Sequence, residues 1–486
     1  MKGRTSRFSL LAAAAVFVGL GGCSSSDSSK DTNPPPPPPV TASVVTNGVI
    51  TGFGSVYVSG VRYGTDDVSV TMDDRPADPL QLKVGQYVEL KGHEHADGGH
   101  DAEVIRYHDV LEGPITRIDA VAGSFVVMGQ TVRVTLETVF GDGIVPASIE
   151  GLAVDSVVEV SGVVPADGVI NATRIDVKPD GGPYDVSGYV TGVSVAGHRF
   201  NLNALVVDYS SANMEDFVAG DPAVGDLVKA TGFTFLADGA FVAKHVELRS
   251  DDYLAAGPGD VVEIEGVVED FASVTDFRVA GWDVTTTPAT TYEHGTVADL
   301  AEGVLVKVKG LANTDGVLVA QRVAFREVST IRIVAQLDAL SLSGQLQLLG
   351  VDVTVTDMTV FRDMSALALR EFGPDDLAVG NWLDVRGYEQ PEGSGAVVAT
   401  QVVRIDPASD VRMRGPFRDP ARPSFDILSV LVTTSSSTRF VLEGNVRITA
   451  EEFFAQAPGE LVEAWGTWSA PVLSAQRVEI KVSEDD

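Results

Sequence analysis

The sequence predicts an all-β protein: a run of small closed β barrels behind a secretory leader and a proline-rich tether. Three observations carry this. Alternating apolar and polar residues, the period-2 pattern of half-buried strands, recur through the chain after residue 45. A strand that ends in glycine also recurs, and its closing glycines, Gly92, Gly162, Gly232, Gly310, Gly387 and Gly466, step by 70, 70, 78, 77 and 79 residues. Asp-Gly pairs, which supply the positive φ of tight hairpins, stand at Asp97-Gly98, Asp167-Gly168, Asp238-Gly239 and Asp315-Gly316. Periodicity of this kind overrides the prior of about three domains that length alone suggests.

Composition supports a packed core. Of 486 residues, 44% are apolar and 21% charged. There are 35 Lys and Arg against 68 Asp and Glu, a net charge of −33. Such an acidic chain lacks the basic surface that displaces counterions from phosphates, so nucleic acid is not an expected partner. A single cysteine excludes a disulfide scaffold and any multi-cysteine metal or iron–sulfur site.

Residues 1–22 read as a leader. Lys2, Arg4 and Arg7 precede the apolar run Leu10 to Leu20, which is too short for a stable transmembrane helix. The run ends in Leu20-Gly21-Gly22-Cys23, which resembles the bacterial lipoprotein box. That resemblance implies acylation of Cys23, cleavage before it and membrane anchoring through the acylated N-terminus. Ser24 follows where an Asp would signal inner-membrane retention, so the expected address is the outer membrane, facing the periplasm or the surface. Cleavage removes three basic residues and takes the net charge to −36. Residues 23–45 form a Ser/Pro-rich tether, in which Pro34 to Pro39 favour a stiff polyproline II rod.

Six modules are expected beyond it, at 46–108, 109–182, 183–256, 257–329, 330–408 and 409–486. Each opens with a strand, at Val49, Pro114, Tyr189, Val267, Gln336 and Pro416 in turn. A second strand runs to a Gly, as in Phe125 to Gly129 and Phe277 to Gly281. The third closes on Thr-x-Phe, as in Thr138-Val139-Phe140, Thr359-Val360-Phe361 and Thr438-Arg439-Phe440. A variable segment follows, helical in appearance at Ser365 to Phe372, with a capping box at Thr449 and Glu452 in the last module. Then come the Gly-closing strand and a strand with an early Ala: Ala102, Ala172, Ala243, Ala320, Ala399 and Ala475. Strand, strand, strand, short helix or loop, strand, strand matches the five-stranded barrel of the OB type. A string of small sandwiches or a β-solenoid would share the periodicity. A barrel of about 70 residues is marginal alone, so neighbours along the chain are expected to pack and share stability.

The Val-Gly-Asp-x-Val-x-Val-x-Gly strand and the Asp-Gly-x-Ile-x-Ala-x-x-Ile strand, clearest in copies two and three and divergent in one and six, resemble the family described as domain of unknown function 5666. The resemblance covers nearly the whole chain after the leader. It implies an exported or anchored β domain and no particular activity.

No Gly-x-Ser-x-Gly elbow, phosphate loop or His-Glu-x-x-His occurs. No catalytic residue and no cofactor-binding residue is assigned. The acidic pairs Asp66-Asp67, Asp251-Asp252 and Asp375-Asp376 read as solvated surface. Four of the seven histidines fall between residues 93 and 108. His93, His95 and His100, with carboxylates beside them, are candidate ligands for a divalent zinc, nickel or copper ion; a polar hairpin tip is the plainer alternative. Trp465 and Trp468 could stack on a sugar ring or fill the core. The expectation is a non-catalytic envelope protein presenting barrels to an unknown protein or glycan. A metal- or oligosaccharide-binding lipoprotein is the alternative.

Overall fold

The computed structural model describes residues 40–163, 168–179, 181–217, 220–249, 255–341, 344–356 and 358–481. The leader, Cys23 and the tether as far as residue 39 lie outside the described residues. The opening strand, Val40–Phe53, begins within the segment assigned above to the tether.

Several small closed barrels follow one another, and residues 111–177 show the pattern. Strands Leu111–Asp119, Ser124–Val127 and Gln130–Arg133 form an antiparallel meander. The third then lies parallel to the fifth, Val169–Val177. The fifth pairs antiparallel with the fourth, Val157–Val163, which pairs with the first and closes the ring. The same ring forms within 184–248, 261–325 and 411–480. Within 40–107 the third strand reaches the fifth through the Gly64–Asp101 bridge and Ser69–Met72. Within 331–405 the first strand is interrupted after Gln336 and resumes at Ala339–Leu340.

The repeated residues meet at one place in each barrel. The closing glycine of the fourth strand sits at a register shift, opposite the early Ala of the fifth: Gly92 with Ala102, Gly162 with Ala172, and so on to Gly466 with Ala475. A Cβ on any of these glycines would fall on a carbonyl oxygen of the fifth strand, for example that of Asp101 or Asn171. The bulge therefore requires glycine for close backbone approach. In four barrels a threonine hydroxyl donates to the carbonyl of that Ala: Thr138 to Ala172, Thr290 to Ala320, Thr359 to Ala399 and Thr438 to Ala475. The three sequence marks are thus one structural knot.

Ser365 to Phe372 is not helical. The Asp363 carboxylate accepts hydrogen bonds from the Ser365 and Leu369 amides and the Ser365 hydroxyl, which holds turns in place of a helix. Ala450–Phe454 is a short helix, with the Thr449–Glu452 capping box formed as expected.

Adjacency along the chain is only part of the packing. Leu111 and Glu112 pair with Val186 and Asp185, and the 111–248 barrels share one apolar core. Arg332 to Val334 pair with Arg412 to Arg414, and the 331–480 barrels share another. The first barrel instead pairs with the fourth, Val44 to Asn47 running parallel to Val261 to Ile264. Val45 is buried in the apolar core of that fourth barrel. The described residues, from 40 to 481, form one compact unit.

Candidate binding site at the barrel junction

In the fourth strand of each barrel, the position three residues before the closing glycine points away from the barrel core, and it is charged: Glu89, Glu159, Lys229, Lys307, Asp384 and Glu463. It stands in register with a residue of the first strand and one of the fifth. The row is Asn47, Glu89, Arg106 in the first barrel and Glu112, Glu159, Asp176 in the second. It is Ser187, Lys229, Glu247 in the third and Glu265, Lys307, Ala324 in the fourth. An outward charge on a strand is ordinarily solvated. Here most are covered, by residues of the same barrel and of its neighbours.

Lys229 is 6% exposed and lies 2.6 Å from Asp109, 3.1 Å from Asp73 and 3.7 Å from Asp185. Burial, only partly offset by Lys229, raises the carboxyl pKa of Asp109, and burial beside Asp109 raises that of Asp185. Asp73, although burial pulls it upward, is held below the usual range by the charge of Lys229. Nearby, Tyr107 donates to Glu159 (2.9 Å), and Lys178 bridges Glu159 and Glu112. Ligating oxygens of Asp109, Glu112 and Glu159 lie within 4.8 Å of one another, a spacing that could hold a metal ion. Lys178 and Lys229 already supply the positive charge there.

Beside this cluster a cavity of about 280 Å³ opens between the first four barrels. Asn47, Glu89 and Arg106 line it from the first barrel, Tyr189 and Arg249 from the third, and Glu269 from the fourth. Arg249 donates to His108 Nδ1 (2.9 Å) and lies 3.6 Å from Glu247. Burial and the Arg249 charge bring His108 down to about 4, so it is a neutral acceptor at pH 7.

A family model described as Domain of unknown function (DUF5666) matches residues 44–106, 112–176, 265–324 and 333–403, just over half of the chain. The chain belongs to this family. No curated protein matches it. The sequence marks looked clearest in copies two and three, yet the DUF5666 model matches the first and passes over 184–248, which closes into the same ring.

In this DUF5666 chain the three candidate histidines have separate surroundings. His93 and His95 share the outer face of the strand Tyr87–His95, 3.5 Å from Glu103 and 2.8 Å from Asp101 respectively. His100 pairs with Glu94, so it lies on the other face, where its ring packs on Tyr63. Among the described residues, the set of ligating groups that converges is the carboxylate one, not the histidines. Trp465 lies beneath the Arg412 and Arg477 guanidiniums, and Trp468 packs against the apolar core. Asp66, Asp67, Asp375 and Asp376 are exposed, and Asp251 and Asp252 lie outside the described residues.

Proposed function

We propose that the protein is a lipid-anchored, non-catalytic component of the cell envelope, probing its surroundings with six OB-type barrels fused into one binding body. The count follows the ring closures from 40–107 to 411–480. The OB type follows the order of the ring: a three-stranded meander, the third strand parallel to the fifth, and the fourth closing onto the first. One observation carries the reading. What the copies share is the bulge that builds the barrel, whereas the outward row changes sign and residue type from copy to copy. A repeated reaction would need a repeated constellation; a joined set of different faces suits recognition of a protein or glycan. The address rests on Leu20-Gly21-Gly22-Cys23.

Labelled palmitate and envelope fractionation test the anchor. The expected outcome is label in the wild-type protein and its recovery with the outer membrane, with both lost in Cys23→Ala. Equal labelling and retention of Cys23→Ala would overturn the anchor. Turnover of an envelope polymer by the purified protein, abolished by a single substitution, would overturn the non-catalytic reading.

A further inference from the structure

We infer that the cavity between the first four barrels is a binding site for a neutral, polyhydroxylated ligand about the size of one sugar ring, with Asn47 as its central polar contact. Asn47 is 1% exposed, lines the cavity, and has no hydrogen-bond partner for either Oδ1 or Nδ2. Buried amides are ordinarily paired, and an orphaned one costs stability. The amide is therefore a buried polar group on the cavity wall whose bonding capacity is unmet.

The wall selects the ligand class. Arg249 is engaged with Glu247, Asp74 and His108, and Asp109 with Lys229. With Glu89, Asp216 and Glu269 also on the wall beside Arg106, carboxylates outnumber arginines six to two, which excludes an anion, and carboxylate oxygens accept from the hydroxyls of a neutral ring. An amide presents a donor and an acceptor side by side, which two adjacent hydroxyls of a ring satisfy together. Tyr87 and Tyr189 add aromatic surface to the same wall. About 280 Å³ is at the small end for ligand pockets, which limits the occupant to about one ring.

This inference rests on the binding role proposed above and names its ligand class. Its test is separate from anchoring, so either can fail alone. Full-length protein in a non-glycosidic detergent is titrated calorimetrically with glucose, galactose and N-acetylglucosamine, and with spermidine and inorganic phosphate as charged comparisons. The expected result is saturable binding of at least one sugar, weakened tenfold or more in Asn47→Leu, whose thermal midpoint equals or exceeds that of wild type. Should Asn47→Leu not fold, Asn47→Asp carries the test: it keeps the shape and the acceptor, loses the donor, and should bind the sugar more weakly. Saturation by none of the three sugars, equal binding by the variant, or preference for spermidine or phosphate would overturn the inference.

Discussion

Lys229 and Asp384 occupy the same position of the repeat in the third and fifth barrels, with opposite charge. Around Lys229 stand three carboxylates, Asp73, Asp109 and Asp185. Around Asp384 stand two guanidiniums: Arg332 donates to it twice (2.9 and 2.7 Å) and Arg386 lies 3.6 Å away. The fold thus accepts either sign at this position, provided the neighbouring strands and barrels supply the other. The two clusters are unequal in a second way. Acid is in excess at one and base at the other, so protons act on them in opposite senses.

Replacing Lys229 with Met breaks the comparison most severely. It leaves Asp109 and Asp185 buried without their cation, a loss of about 3–5 kcal/mol at pH 7. Carboxyls can take up protons, and the pKa of each is already raised by burial. Urea unfolding should therefore show the deficit shrinking as the pH is lowered from 7 to 5; a deficit unchanged over that range would contradict the assignment.

Asp384→Leu should cost about 3 kcal/mol, since it strands Arg332 and Arg386. Arginine does not release its proton in this range, so this deficit should stay flat between pH 5 and 9. In the wild type, burial raises the Asp384 pKa, but the Arg332 and Arg386 charges outweigh it and bring it to about 2. A folded pKa below the unfolded value of about 3.9 gives stability that is complete above that value. It is lost as the pH falls through 2, about 3 kcal/mol in all. An acid titration in which Asp384→Leu lost as much stability as wild type below pH 4 would refute this.

The barrels were legible in the sequence because their marks are local. Gly92 and its counterparts, the early alanines and the threonines of Thr-x-Phe recur in one order at similar spacings, and each spacing reports a contact inside one barrel. Packing between barrels involves residues far apart in the chain, such as Ser59 donating to Glu265 and Lys307 donating to the Ser59 carbonyl. No period encodes that pairing, and the link between the first and fourth barrels was not foreseen. One signal was available. The third position before each closing glycine is always charged, and a charge repeated at one strand position points to a partner that covers it, in the same barrel or the next. The histidines drew attention by rarity alone, and rarity says nothing about which face of a hairpin a side chain takes. Asn47 gave no signal, since its isolation depends on four barrels at once.

A finer comparison lies in the turn that leads into the fourth strand. Gly85 and Gly225 are equivalent, with φ near +89° and +95°. Asp155 holds the corresponding place in the second barrel at φ +71°, so a side chain is tolerated there at the cost of strain. Around Gly225 an added Cβ would meet nothing within 4 Å. Gly225→Ala should then cost about 1 kcal/mol, the left-handed backbone alone. At Gly85 the same Cβ would lie 2.7 Å from the Val139 Cβ and 3.1 Å from the Thr173 carbonyl oxygen, both in the second barrel. Gly85→Ala should cost about 2 kcal/mol, because the two barrels must also separate. The difference between the variants, read as a difference in urea midpoint, measures the closeness of the first and second barrels at this point. Equal midpoints would mean that the barrels are not in contact at Gly85.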